Sequence, residues 1–193
     1  MKVPSISKAE LMLHEASVMN PGLWVKHNQV AAFCARRIAE RCSDLDNDSA
    51  YVLGLLHDIG RRFGEGDLIH TLRGYKYMIE SYYVDSARIC LTHSFPYKDL
   101  QCYEGINDCT NNETEFLSRY IKRIDYNDYD RLIQLADAIS DPEGPCIMEK
   151  RLVNVVMRKG FNEFTILKWK EFFTLKEYFE AKMRCTLDEL FRF

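Results

Sequence analysis

No apolar run in this 193-residue chain approaches the roughly 20 residues that a membrane-spanning helix needs. Nor does it open with a charged segment followed by a short apolar core, so no secretory leader is expected. Runs of alternating β-branched residues are missing, which argues against a sheet protein. Proline (5) and glycine (9) are too sparse for a fibrous or low-complexity chain. There is no large excess of either charge: 26 basic and 29 acidic residues leave a net charge of -3. That balance argues against a general nucleic-acid or membrane-surface binder. No glycine-rich phosphate loop is present, because Gly64-Glu65-Gly66 is short and acidic. No Ser or Cys arrangement suggests a protein nucleophile. Cysteine is plentiful at seven, yet no two form a C-x-x-C pair. The count is odd and several sit in apolar helical stretches. They read as small buried hydrophobes in a reducing compartment, and a cytoplasmic location is expected.

What remains is a chain built for helices. The apolar fraction of 47% suits one globular domain over residues 1–193. Apolar residues recur at three and four over most of the length. Ser7 is expected to cap a first helix through about Ala16. Helices then follow at about Trp24–Arg41 and Ser49–Leu56, the second capped at Asp46-Asn47-Asp48 and stopped by Gly60. Further helices are expected at about Leu68–Tyr82, Asp85–His93 and Glu113–Ile124. An irregular stretch from Ser94 to Asn111 separates the last two. Asp128 is expected to cap Tyr129–Ser140, and two or three more helices fill Met148–Phe191. The last of these regions is rich in aromatics, which would cover the core or form a homodimer face.

Four of the five histidines fall on apolar helical faces. His27 shares a stripe with Ala31, Cys34 and Ile38, and His57 extends the face of Ala50 and Leu53. His70 has Gly74 four residues on, a gap that permits close approach. His93 follows Ile89 and Cys90. His14 lies outside this pattern and reads as packing or surface. Asp137 sits in the apolar run Leu135-Ala136-Asp137-Ala138-Ile139. An unpaired buried carboxylate costs several kcal/mol, and a cation removes that penalty. His57 and Asp58 are adjacent. On a helix they would point about 100° apart, but at a helix end both can turn toward one point.

Taken in order, His27, His57-Asp58, His70, His93 and Asp137 resemble the signature of the HD-domain superfamily of metal-dependent phosphohydrolases. His57-Asp58-Ile59-Gly60 followed by Arg61 resembles the family's second motif. His70-Thr71-Leu72-Arg73-Gly74 and Leu91-Thr92-His93 resemble the later motifs of members that bind two metals. The resemblance covers about Lys26 to Asp141. It implies an all-α, HD-domain helical bundle with an HD core at about 24–141 and extra C-terminal helices at about 146–193.

It also implies that His27, His57, Asp58 and Asp137 hold one metal, and that Asp58 bridges to a second held by His70 and His93. One or two divalent or transition-metal ions (Fe, Mn, Zn, Co, Ni or Mg) would suit such ligands. His57, Asp58 and Arg61 would be catalytic, and Arg61, Arg73 and Lys98 would bind substrate. Many relatives carry Lys where Arg61 stands. The implied activity is hydrolysis of a nucleotide or other small phosphoester by metal-activated hydroxide. The implied partner is a small phosphorylated substrate, with no stable nucleic acid and no membrane. Two alternatives share these residues: a mixed-valent di-iron oxygenase of the same superfamily, and a non-catalytic nucleotide-binding module.

Overall fold

A computed structural model describes residues 1–193. It is a bundle of ten α-helices with one two-stranded hairpin. Helix α1 (Ile6–Met19) starts two residues early, because Ser5 rather than Ser7 accepts the Lys8 N–H. It also runs past Ala16, and Asn20 ends it. Helix α2 (Leu23–Ala39) buries His27, Ala31, Cys34 and Ile38 as their spacing predicts. Asp46 caps α3 (Asn47–Leu56) by accepting the Ser49 N–H at 2.7 Å. This helix is buried on nearly every side, and α2 lies against it very closely. A Cβ on Gly54 would stand 2.8 Å from the Ala32 Cα, so only glycine permits that spacing.

The α3 helix ends at Leu56, ahead of Gly60, and the chain tightens into a 3-10 turn over Ile59–Phe63. Gly60 is therefore a packing residue inside the turn and not the helix stop that its sequence position suggested. Helices α4 (Ile69–Glu80) and α5 (Val84–Thr92) form the next antiparallel pair. After the irregular stretch, Thr110 and Glu113 form a capping box on α6 (Asn111–Arg123). Helix α7 (Asp128–Ala138) is capped by Asn127, one residue ahead of the expected Asp128. Asn127 wins because Asp130, three residues on, returns a bond to the Asn127 N–H. A hairpin of β1 (Ser140–Asp141) and β2 (Gly144–Pro145) leads into α8 (Met148–Lys159), α9 (Thr165–Met183) and α10 (Leu187–Phe191).

The tail covers the core. Phe172, Leu175, Phe179, Met183 and Leu187 join the largest apolar cluster, with Ile38, Leu53, Leu132 and Ile139. Phe179 is fully buried. Of the two roles that its aromatics suggested, covering the core is the one these residues take. All seven cysteines are free. Burial pushes the Cys34 thiol up to about 12 and the Cys42 thiol to about 11. No helix is long and apolar enough to cross a membrane.

Two helices that carry site residues are locked together by a buried carboxylate. Asp130 on α7 accepts two bonds from Arg88 Nε on α5, at 3.0 and 2.9 Å, and one from Thr92 Oγ1 at 2.8 Å. Gln134 Nε2 donates to the Thr92 carbonyl at 3.0 Å. These bonds set the end of α5, and hence His93, against the part of α7 that carries Asp137.

Candidate metal centre

The helix break at Asp58 makes His57 and Asp58 a pair. His57 is still helical, with φ -59° and ψ -36°. Asp58 departs to φ -103° and ψ 15°, the sparsely populated bridge region, and the 3-10 turn follows. The two side chains thereby share one interior region. The turn is pressed onto α4 through glycines. A Cβ on Gly60 would meet the His70 carbonyl oxygen at 2.0 Å, and one on Gly74 would meet the Gly60 nitrogen at 3.2 Å. Close backbone approach at this point brings His70 to Asp58.

All six sequence-predicted ligands gather. Candidate donor atoms lie within 4.8 Å of one another in three overlapping groups: His27, His57 and Asp58; His57, His93 and Asp137; Asp58, His70 and His93. His27 Nε2 stands 2.9 Å from Asp137 Oδ1. His70 Nε2 stands 2.9 Å and His93 Nε2 3.3 Å from Asp58 Oδ1. His57, Asp58 and His93 each belong to two of the groups. The geometry thus brings His93 to both sets, whereas the family pattern gives it to one.

The outer nitrogens decide what the inner ones can do. Each Nδ1 is held by a backbone carbonyl: His27 by Ser140 at 3.2 Å, His57 by Gly54 at 2.6 Å, His93 by Ile89 at 3.1 Å, and His70 by Asp67. A neutral imidazole has one N–H. If Nδ1 donates it to the carbonyl, Nε2 carries a lone pair. Four such lone pairs face the cluster interior. The His70 and His93 Nε2 atoms are 3.4 Å apart, and His57 Nε2 is buried with no hydrogen-bond partner at all. Lone pairs aimed at one another and at carboxylate oxygens repel. A cation among them turns each into a ligand, and the carbonyl contacts are the supports that metal-bound imidazoles use. The residues present fit a metal.

Charge reinforces this. Burial pushes the His57 imidazole down to about 4 and lowers His70 as well, so both stay neutral and able to coordinate. Burial alone would raise the Asp58 carboxyl. Arg61 and His70 beside it outweigh that and hold it well below the usual carboxylate range. Burial likewise opposes ionisation of Asp137, but the bond to His27 holds it low.

A pH dependence follows for metal-free protein. The unfolded His57 takes a proton near 6.5, whereas the folded one resists to about 4. Stability from this group is complete above about pH 6.5 and is lost progressively toward about pH 4. The loss reaches about 3 kcal/mol. Urea unfolding of chelator-treated protein from about pH 7 to about pH 4 should show this decline, and His57→Gln should flatten it. An equal slope in that variant would contradict the assignment.

Arg61 donates from Nε to Asp58 Oδ2 at 2.5 Å and lines the adjoining cavity, as its motif position suggested. The other two expected substrate contacts lie elsewhere. Arg73 Nη1 donates to the Glu65 carbonyl at 3.0 Å and ties down its own loop. Lys98 Nζ donates to the Ile124 carbonyl at 2.5 Å and sits over the Tyr126 ring. Orphan carbonyls at the end of α6 draw it there. Neither residue lines the cavity.

That cavity, about 970 Å³, runs from the ligand cluster to α8 and α9. Its walls include cations that sequence reasoning missed: Arg151, Arg158, Lys159 and Lys168. Lys168 was findable. It lies on the buried stripe of α9 with Thr165, Phe172 and Phe179, and only a partner such as Glu104, 2.5 Å away, lets it stay there. Tyr103 was not findable, since its stretch lacks periodicity. Its hydroxyl donates to Asp67 at 2.7 Å.

Residues 5–64 match the family model of the HDOD domain, under a third of the chain. That segment holds His27, His57 and Asp58, while His70, His93 and Asp137 lie beyond it. The match and the cluster fit an HD-domain-like family. Neither the curated proteins nor the solved structures yield a match. HDOD is an HD-related domain.

Proposed function

We propose that this HD-domain-like chain is a metal-dependent phosphohydrolase acting on a nucleotide or another small phosphoester. The observation that carries the reading is the convergence of six ligand side chains on one buried locus, with His57 Nε2 left unpartnered. His27, His57, Asp58, His70, His93 and Asp137 would hold one or two metal ions. When bound, such ions supply an acidified water and offset charge on a phosphoryl group. The protein's own residues do the rest. Asp58 fixes the Arg61 guanidinium through Nε, which leaves its Nη atoms to take a phosphate oxygen. Asp137, about a quarter exposed, borders the cavity where a substrate would enter. Burial of the four histidines keeps bulk water from the ligand nitrogens.

A second reading has one observation in its favour. HDOD proteins are often non-catalytic, and the matched segment belongs to that domain. This would make the chain a nucleotide-binding module that retains metal.

One experiment separates them. Protein reconstituted with Mn, Fe, Co, Ni, Zn or Mg is offered a panel of nucleoside mono-, di- and triphosphates and simple phosphoesters. The phosphohydrolase reading expects release of phosphate or nucleoside with at least one metal, abolished by chelation and restored on adding the metal back. Tight nucleotide binding with no turnover under any metal would overturn it in favour of the module.

A further inference from the structure

The cavity, at about 970 Å³, is much larger than one phosphate requires, and part of its wall belongs to the C-terminal helices. Arg151, Asn154, Val155 and Arg158 all line it. Their spacing of i, i+3, i+4 and i+7 makes them a single face of α8, spanning about 10 Å.

The cations around the cavity are not equivalent. Arg61 lies 2.5 Å from Asp58, Lys168 lies 2.5 Å from Glu104, and Lys159 lies 3.0 Å from Asp67. Each of these charges is already met. Arg158 has no carboxylate partner, its Nε reaching only the Asn154 carbonyl at 3.4 Å. Arg151 has only a distant one, Asp141 at 3.9 Å. Two guanidiniums on one helical face, both turned to the cavity and both short of anions, form a planar-fork site for an oxyanion. The cavity lining also includes the aromatic rings of Trp24 and Phe172.

We infer that Arg151 and Arg158 form a second anion subsite, and that the substrate is a phosphoester carrying a further phosphate or carboxylate at the end remote from the scissile group. This deepens the phosphohydrolase reading and rests on it for the scissile end only. Arg158 and Arg151 act here as specificity-determining residues.

The test uses three probes that share one nucleoside 5′-phosphate end. Adenosine 5′-monophosphate lacks a second anion, adenosine 3′,5′-bisphosphate adds a phosphate, and adenylosuccinate adds carboxylates on the base. Calorimetry on the full chain, with and without Mn²⁺, measures binding of each. We expect at least tenfold tighter binding of one or both doubly anionic probes than of the monophosphate. The preferred probe reports whether phosphate or carboxylate is the natural group. Arg158→Glu and the double variant Arg151→Gln/Arg158→Gln should erase that advantage and leave monophosphate binding unchanged. Lys150→Gln, exposed on the same helix and outside the cavity, should keep it. Equal binding of all three probes, or an advantage that survives in Arg158→Glu, overturns the subsite. Should no phosphoester be hydrolysed while the binding pattern holds, the phosphohydrolase reading falls and the subsite stands.

Discussion

His57→Ala should leave less than about one-thousandth of the metal-dependent phosphohydrolase activity and should remove the stabilisation that metal confers. His57 belongs to two of the three ligand groups, and its ring is flanked by those of His27 and His93 at 5.3 and 5.0 Å. No other side chain is placed to replace its nitrogen. For the wild type, metal at about a thousandfold over its dissociation constant should raise unfolding free energy by about 4 kcal/mol. For the variant, that increment should vanish. The metal-free comparison guards against a trivial explanation. In metal-free protein the His57 Nε2 is a buried polar atom without a partner, which is itself a cost. Its loss therefore offsets part of the cavity penalty. Thermal melts with and without Mn²⁺ or Zn²⁺, alongside the activity assay, decide the matter. A purely structural His57 would lower both melting curves equally and keep the metal increment, and that result would remove His57 from the metal centre.

Gly60→Ala should be as damaging without touching a ligand. The added Cβ would lie 2.0 Å from the His70 carbonyl oxygen and 2.4 Å from the Gly74 nitrogen. Both are backbone atoms, so no rotamer change relieves the clash. The 3-10 turn must lift from α4, which separates Asp58 from His70. We expect a loss of more than about 4 kcal/mol, or failure to accumulate as folded protein, since overpacking here forces backbone to move. Gly64→Ala is the control. Gly64 has φ +100° and ψ -172° with nothing near its missing Cβ, so it should cost only about 1–3 kcal/mol of backbone strain. Chemical unfolding of the two variants checks the order. A Gly60→Ala protein as stable as Gly64→Ala would mean that α4 and the turn are not held together as described.

Much of the bundle was legible because helix faces are local. The stripe of His27, Ala31, Cys34 and Ile38 needs only a period of 3.6, and it is buried as that period demands. Caps were less legible, since neighbouring residues compete for one role. Ser5 displaced Ser7, and Asn127 displaced Asp128, where the winner depended on which N–H lay in reach. Gly60 was misread as a helix stop because a stop and a packing contact both call for a residue without a side chain. Arg73 and Lys98 stand away from the cavity for a different reason. Long cationic side chains go to whichever carbonyls are nearest in space, and the chain's order does not encode those.

The sequence by itself determined that this is a helical protein and which imidazoles and carboxylates lie on faces too apolar to leave them solvated. Those properties follow from residue type and short-range spacing. Only the tertiary structure decided that six of those groups meet, that backbone carbonyls take the four Nδ1 atoms, and that Arg151 and Arg158 face the cavity with little carboxylate neutralisation while Arg61, Lys159 and Lys168 are paired. These are distances between helices far apart in the chain, set by how the whole core packs, and no local period carries them.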